Sequence, residues 1–209
     1  MRSKLGLAAE TLAAIQLGYA QKGQSLAQAA LCGAAHFVEW QHYPRNDVTD
    51  ANSGYEFYYH AHATDVTECA EHGHFHVFRR DATDQSHFTH LVAISLNQTG
   101  IPVRIFTTNQ WVTGEQFQWA DRVMDNIRDF HLCTKGRMVP IANWLGAFLQ
   151  LFESEIEQIV LARDLKIAQL SEEDELSNVL ESRRYHILTQ CNIDLFSRLE
   201  LYGSGASEE

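Results

Sequence analysis

The sequence lacks the paired cysteines that build disulfide frameworks and zinc knuckles. The chain has 209 residues and four cysteines, which lie far apart and include no C-x-x-C pair: Cys32, Cys69, Cys133 and Cys191. Zinc knuckles use closely spaced cysteines, and small disulfide-stabilised proteins are dense in them. We therefore expect reduced thiols and a cytoplasmic protein.

The chain also lacks a surplus of positive charge. It has 16 lysines and arginines against 27 aspartates and glutamates, which gives a formal net charge of −11. Binding to nucleic acid depends on basic side chains that contact phosphates, and docking on anionic lipid depends on a similar basic surface. We expect neither a nucleic-acid nor a membrane partner. A small-molecule substrate is compatible with this composition, and the oligomeric state stays open.

Long hydrophobic runs are absent as well. No stretch reaches the length of about 18 apolar residues that a membrane-spanning helix needs. The apolar segment near the N-terminus is interrupted by Glu10 and Thr11, which favours an amphipathic helix over a secretory signal. The chain has no Walker loop, no Rossmann fingerprint and no G-x-S-x-G motif, so the commonest nucleotide-binding and serine-hydrolase classes are excluded.

The middle of the chain has the alternating pattern of β-strands. Four strands are predicted, with a turn at residues 97–100 between the last two: Tyr55–Ala63, His72–Phe78, Leu91–Leu96 and Ile101–Val112. Residues 46–54 consist of turn formers and predict a loop. These features indicate an antiparallel sheet of about four strands.

Helical periodicity precedes and follows this sheet. Residues 5–21 predict a first helix, and residues 26–40 predict a second that ends before Pro44. Pro140 lies near the start of a long helix, and residues 171–195 predict a last one. The predicted fold is α+β, with an antiparallel sheet flanked by N-terminal and C-terminal helices. We expect one globular domain over residues 1–202 and a disordered tail over residues 203–209.

Histidines are concentrated in one segment. Five of the eleven lie between positions 60 and 76, as H-x-H and H-x-H-x-H. Residues two apart on a strand point to the same face. Pairing even positions with even ones would place all five on one face, and the opposite face would carry Phe57, Tyr59, Ala61, Phe75 and Val77. Because burying that apolar face fixes the register, the sequence predicts five imidazoles on one surface.

A cluster of imidazoles is typical of a metal site, because histidine is the commonest nitrogen ligand of zinc, copper and iron. The predicted ligands of one transition-metal ion are His60, His62, His72, His74 and His76. Glu56 or Glu71 would supply a carboxylate ligand, and Glu71 or Tyr58 would move a proton. Structural zinc is disfavoured since such sites usually contain cysteines. The competing interpretation is a hairpin whose histidines are exposed or satisfied by hydrogen bonds.

Two other metal-site patterns are incomplete. Gly54, His60, His62 and Glu68 approximate a first cupin motif, but the gap before Glu68 is one residue too long and no second motif follows. Residues 39–42 form a single E-x-x-H on a predicted helix, whereas di-iron bundles use two copies. Neither pattern decides the fold.

Two segments together resemble a known family. They are Glu71–His76, with the sequence EHGHFH, and Phe106–Glu115, with the sequence FTTNQWVTGE. They resemble an uncharacterised bacterial family that carries H-G-H-F-H and T-T-N-x-W-V-T-G-E stretches, and the resemblance covers roughly residues 36–165. It implies a bacterial source and no particular chemistry.

Three functions are compatible with these features. The first is a mononuclear metal enzyme, with a lean to an oxidoreductase over a hydrolase because aromatic residues surround the histidines. The second is a non-catalytic metal or haem protein that senses, carries or stores. The third is a structural protein whose histidines are incidental. An open coordination position favours an enzyme, and a closed site favours a binder.

Overall fold

The computed structural model describes residues 3–34, 38–61 and 71–203. Strands occupy the middle of the chain and return once near its end: β1 (Tyr43–Thr49), β2 (Tyr55–His60), β3 (Glu71–Arg80), β4 (Phe88–Asn97), β5 (Pro102–Thr108) and β6 (Ile187–Asn192). Helices lie before, between and after them: α1 (Lys4–Ala20), α2 (Leu26–Ala30), α3 (Gln110–Thr113), α4 (Ala120–Arg128), α5 (Val139–Leu151), α6 (Glu153–Leu170), α7 (Leu176–Glu181) and α8 (Leu195–Gly203).

The six strands form one antiparallel sheet in the order β1-β2-β3-β4-β5-β6. The α+β class and the helices at both ends are therefore confirmed. The expected number of strands was too low by the two edge strands. The predicted strands correspond to β2, β3, β4 and β5, and the predicted turn at residues 97–100 joins β4 to β5 with Gly100 at φ +77°.

Neither edge strand has a sequence that is typical of a β-strand. β1 contains Pro44, Asn46 and Asp47, residues typical of turns but tolerated in a strand at the edge of a sheet. In β6 the apolar residues Ile187 and Cys191 lie four apart, a spacing that also fits a helix face. Pairing with β5 decides the outcome, and Ile105 lies opposite Cys191. A short segment thus takes its structure from its neighbour rather than from its own period.

The second predicted helix is much shorter than expected. α2 ends at Ala30, and Cys32 and Gly33 follow with φ values of 54° and 80°. These left-handed conformations end a helix. The segment from Glu39 to His42 is consequently not helical, and the E-x-x-H pattern has no structural basis as a helical motif.

One face of the sheet is covered by helices and forms the core. Phe57, Tyr59 and Phe75 are fully buried there, and the ring of Phe75 lies 6.0 Å from that of Trp144 on α5. Burying a side chain of this size contributes about 1.5–3 kcal/mol. These residues occupy the odd positions of β2 and β3, so the predicted apolar face is confirmed.

The register of β2 and β3 follows from that burial. Tyr58 lies opposite His76, and His60 lies opposite His74. Even positions therefore pair with even positions, and the face away from the core receives the histidines. Within the described part of the chain, no helix has the length and apolar character required to cross a bilayer.

Candidate metal centre

Three histidines converge on the face of the sheet opposite the core. His60 is the last residue of β2, and His74 and His76 are two apart on β3. One ring nitrogen from each of the three lies within 4.8 Å of the others. The Nε2 atoms of His60 and His74 are 2.8 Å apart, as expected for directly opposed residues on antiparallel strands.

Glu71 orients His74. A Glu71 carboxylate oxygen lies 2.5 Å from Nδ1 of His74, and the other lies 2.5 Å from a guanidinium nitrogen of Arg104. Burial opposes ionisation of Glu71, but the hydrogen bond from His74 and the charges of His74 and Arg104 outweigh it and lower its pKa to about 2. An ionised Glu71 requires a proton on Nδ1 of His74. In the neutral ring, Nε2 then carries the lone pair that a metal needs.

His76 is oriented by a second histidine. Nδ1 of His76 lies 3.0 Å from Nε2 of His90, and Nδ1 of His90 lies 3.2 Å from the Thr108 hydroxyl. Burial, followed by the charges of neighbouring histidines, lowers the pKa of His76 well below its usual value. Burial and then Arg163 and His74 lower the pKa of His90 to about 3. Both rings are therefore neutral. If Nδ1 of each ring donates along this chain, Nε2 of His76 remains an acceptor.

Tyr58 and His42 form the wall beside the histidines. Their rings are stacked, with centroids 3.6 Å apart and planes 10° apart. Nδ1 of His42 lies 3.0 Å from an Asp47 carboxylate oxygen, which fixes the ring orientation. Burial and then the charges of Asp47 and Glu56 raise the pKa of Tyr58. The Tyr58 hydroxyl is therefore protonated and able to donate a hydrogen bond.

The histidines lie at the base of a cavity of about 380 Å³. Both polar and apolar side chains line it: Trp40, His42, Tyr58, His60, Glu71, His74, His76, Arg104, Phe106, Thr108, Val112, Thr113, His186 and Ile187. A metal at the three histidines would face this space with its remaining coordination positions. The arrangement thus provides both a ligand set and room for a second molecule.

The structure brings some of the predicted site residues together and places others elsewhere. His60, His74 and His76 are brought together, and Glu71 and Tyr58 line the same cavity. His62 lies outside the described residues. His72 does not join the cluster, because its Nδ1 lies 2.8 Å from the hydroxyl of Tyr59, whose ring packs on the core face.

A bulge in β3 separates His72 from the other histidines. Glu71 pairs with Asn97 and Gly73 pairs with Leu96. Between these two pairs β3 therefore contains one residue more than β4. The bulge interrupts the strict alternation of side chains. It brings the odd-numbered Glu71 beside His74 and places His72 against Tyr59. Glu56, the other suggested carboxylate, instead pairs with Arg80 and Thr49.

Sequence reasoning missed three residues that support the cluster: His42, His90 and Arg104. Arg104 lies opposite Ser95, which lies opposite His74. A strand-by-strand alignment of faces would have placed Arg104 in the histidine row. His90 precedes the predicted start of its strand, and His42 comes from a segment predicted to be helical, so neither had a comparable signal.

A buried carboxyl group lies behind His90. A Glu115 carboxylate oxygen accepts the backbone N–H of His90 at 2.6 Å, and the residue is 5% exposed. Burial raises the pKa of Glu115 to about 8, although the bond from His90 and the charge of Arg163 act in the opposite direction. At neutral pH this carboxyl group is largely protonated.

The family of the chain is shown by its sequence over almost its whole length. The family model described as Domain of unknown function (DUF6969) matches residues 7–193. The chain belongs to this family. The expected membership of an uncharacterised family is confirmed, and the matched span contains every residue of the cluster and cavity. No curated protein and no solved structure matches the chain.

Proposed function

We propose that the protein binds one transition-metal ion through His60, His74 and His76 and is a metal-dependent enzyme, of the oxidoreductase class. One observation carries the proposal: three imidazole nitrogens lie within 4.8 Å of one another at the base of a cavity of about 380 Å³. Neutral imidazoles suit zinc, copper and iron.

The surroundings of the histidines support a metal, because neighbouring side chains hold the second ring nitrogen of two of them. Nδ1 of His74 is directed to Glu71 and Nδ1 of His76 to His90. Histidine ligands typically use one ring nitrogen for the metal and donate the other N–H to a carboxylate or another acceptor. The low pKa of His76 keeps its ring neutral, which is the form that binds metal.

The open side of the cluster favours an enzyme over a carrier or store. Three protein ligands with free positions facing a cavity are typical of catalytic metal sites, whereas structural sites are closed by four. When bound, the metal would supply Lewis acidity or electron transfer. The protonated Tyr58 hydroxyl would donate a hydrogen bond to a molecule in the cavity.

Redox chemistry is favoured over hydrolysis because the carboxylate in the cavity, Glu71, is not available as a base. Hydrolysis at a metal benefits from a base near the attacking water. Glu71 is a poor base because its pKa is about 2 and both oxygens are occupied by His74 and Arg104. The described lining contains no other carboxylate. The aromatic side chains of Trp40, Tyr58 and Phe106 line the same cavity.

Elemental analysis of untagged protein, purified aerobically and anaerobically, tests the proposal. We expect roughly one iron or copper ion per chain and a reversible change in its spectrum on reduction and reoxidation. His60→Ala, at a partly exposed position, should reduce the metal content to less than a tenth. His87→Ala removes an exposed histidine elsewhere and should have no effect.

Different results of the elemental analysis would contradict different parts of the proposal. Metal that survives His60→Ala and a combined His74→Ala, His76→Ala change would place the site elsewhere. Stoichiometric zinc as the sole metal would contradict the oxidoreductase class and leave a metal-dependent hydrolase. Absence of metal under every growth condition would contradict the proposal as a whole.

A further inference from the structure

The mouth of the cavity exposes three large apolar side chains. Trp40 is 69% exposed, Val112 37% and Ile187 36%, and all three line the cavity that contains the histidines. Apolar groups clustered at a concave surface are typical of ligand-binding sites. Covering them would remove apolar surface from water, so the mouth favours a ligand with an apolar body.

The backbone holds Trp40 in an unusual conformation. Its φ of 65° is left-handed, a conformation that is uncommon for a bulky residue and often found at functional sites. Its N–H donates to the carbonyl of Ala61 at 3.0 Å, the residue directly after His60. The position of the indole is thereby linked to the end of the strand that carries a proposed metal ligand.

A charged side chain, Arg104, lines the same cavity beside the histidines. The Arg104 guanidinium contacts Ser95, Gln190 and Glu71 and lies over the ring of Phe106. Its charge is balanced by that of Glu71. A divalent ion at the cluster would leave a net positive charge inside the cavity, where electrostatic attraction is stronger than in water.

From these two features, and resting on the metal site proposed above, we infer that the cavity binds a small organic carboxylate. Its anionic group would lie towards the histidines and Arg104, and its apolar body against Trp40, Val112 and Ile187. A planar carboxylate matches the donor geometry of a guanidinium group. The cavity volume of about 380 Å³ has room for a body of at least one ring.

Calorimetric titration of untagged protein loaded with zinc, which has no redox chemistry, tests this inference. Benzoate combines the anionic group with a ring, benzyl alcohol keeps the ring without the charge, and acetate keeps the charge without the ring. We expect benzoate to bind at least tenfold more tightly than either of the other two. Zinc content is measured on each sample before the titration.

A pair of tryptophan variants locates the apolar contact. Trp40→Ala should weaken benzoate binding at least fivefold and leave acetate binding and zinc content unchanged. Trp119→Ala removes another exposed tryptophan, 44% exposed and outside the cavity, and should leave all three unchanged.

The outcomes distinguish this inference from the proposed function. If the protein takes up no zinc, the metal site and the inference both fail. If it binds about one zinc ion but prefers benzyl alcohol or binds acetate as tightly as benzoate, the carboxylate inference fails and the metal site stands. Equal losses in the two tryptophan variants would also overturn the assignment of the apolar body to Trp40.

Discussion

Glu56 and Glu71 are two glutamates with buried side chains on neighbouring strands, and each is paired with an arginine. They differ in their further partners. Glu56 contacts Arg80 and the Thr49 hydroxyl. Glu71 contacts Arg104 and Nδ1 of His74. The two residues share burial and charge, so a comparison between them isolates what a carboxylate does for a ligating imidazole.

We predict that Glu71→Gln lowers metal affinity by about 10–100-fold, the usual effect of changing a group that orients a histidine ligand. The amide keeps the shape of the carboxylate but loses the charge that fixes the proton on Nδ1 of His74. Competition titrations with a metal chelator measure the change. Glu56→Gln is the matched control and should bind metal like the wild type. Equal affinities in the two variants would show that Glu71 does not act through His74.

The bulge at the start of β3 is the structural element on which the cluster depends. Gly73 lies within it, and a Cβ atom there would lie 2.6 Å from the carbonyl oxygen of His60 and 2.8 Å from the Cβ of Ala61. Real Cβ atoms do not approach backbone atoms so closely. The absence of a side chain at Gly73 therefore allows β2 and β3 to approach where His60 meets His74.

We predict that Gly73→Ala separates β2 from β3 at this point, costs about 1–3 kcal/mol of unfolding free energy and reduces metal affinity at least tenfold. Denaturant unfolding and chelator competition measure the two effects. Gly18→Ala is the control, because a Cβ there meets nothing within 4 Å and alanine stabilises a helix interior by about 0.5–1 kcal/mol. Normal metal affinity in a folded Gly73→Ala protein would contradict this account.

The same elements explain how far the sequence predicts the site. The apolar odd positions Phe57, Tyr59 and Phe75 fix the register of β2 against β3, and that register places His60 opposite His74. The bulge is a backbone irregularity whose only trace in the sequence is Gly73, so the removal of His72 from the cluster could not be predicted. Metal binding by His62 stays a prediction, because that residue lies outside the described part of the chain.

The edge strands show where sequence patterns stop predicting the fold. The central strands are rich in aromatic and apolar residues because both of their faces are buried or half-buried, and these strands were predicted. β1 and β6 each have one unpaired edge, tolerate polar residues and a proline, and take their conformation from β2 and β5. Local pattern therefore predicts the interior of the sheet, while long-range pairing decides its edges.

At the scale of the whole molecule, buried titratable groups act on stability in opposite directions. Burial lowers the pKa of His90 to about 3. Its neutral form is therefore favoured in the folded state, and stability falls as the pH drops from about 6.5 towards 3. Burial raises the pKa of Glu115 to about 8. The folded state then keeps a proton that the unfolded chain releases above about 4.5, so stability falls as the pH rises from about 4.5 to 8.

We predict that Glu115→Gln removes most of the loss of stability between pH 5 and 8, because glutamine resembles the protonated carboxyl group and does not titrate. Each unit of pKa shift corresponds to about 1.4 kcal/mol, so the wild type and the variant should diverge by a few kcal/mol at pH 8. Unfolding free energies of metal-free protein at fixed ionic strength measure this without proton competition at the cluster. Glu172→Gln, at an exposed position, should follow the wild-type curve. Parallel curves for wild type and Glu115→Gln would mean that Glu115 is ionised in the folded protein, and its charge would then have to be balanced by Arg163.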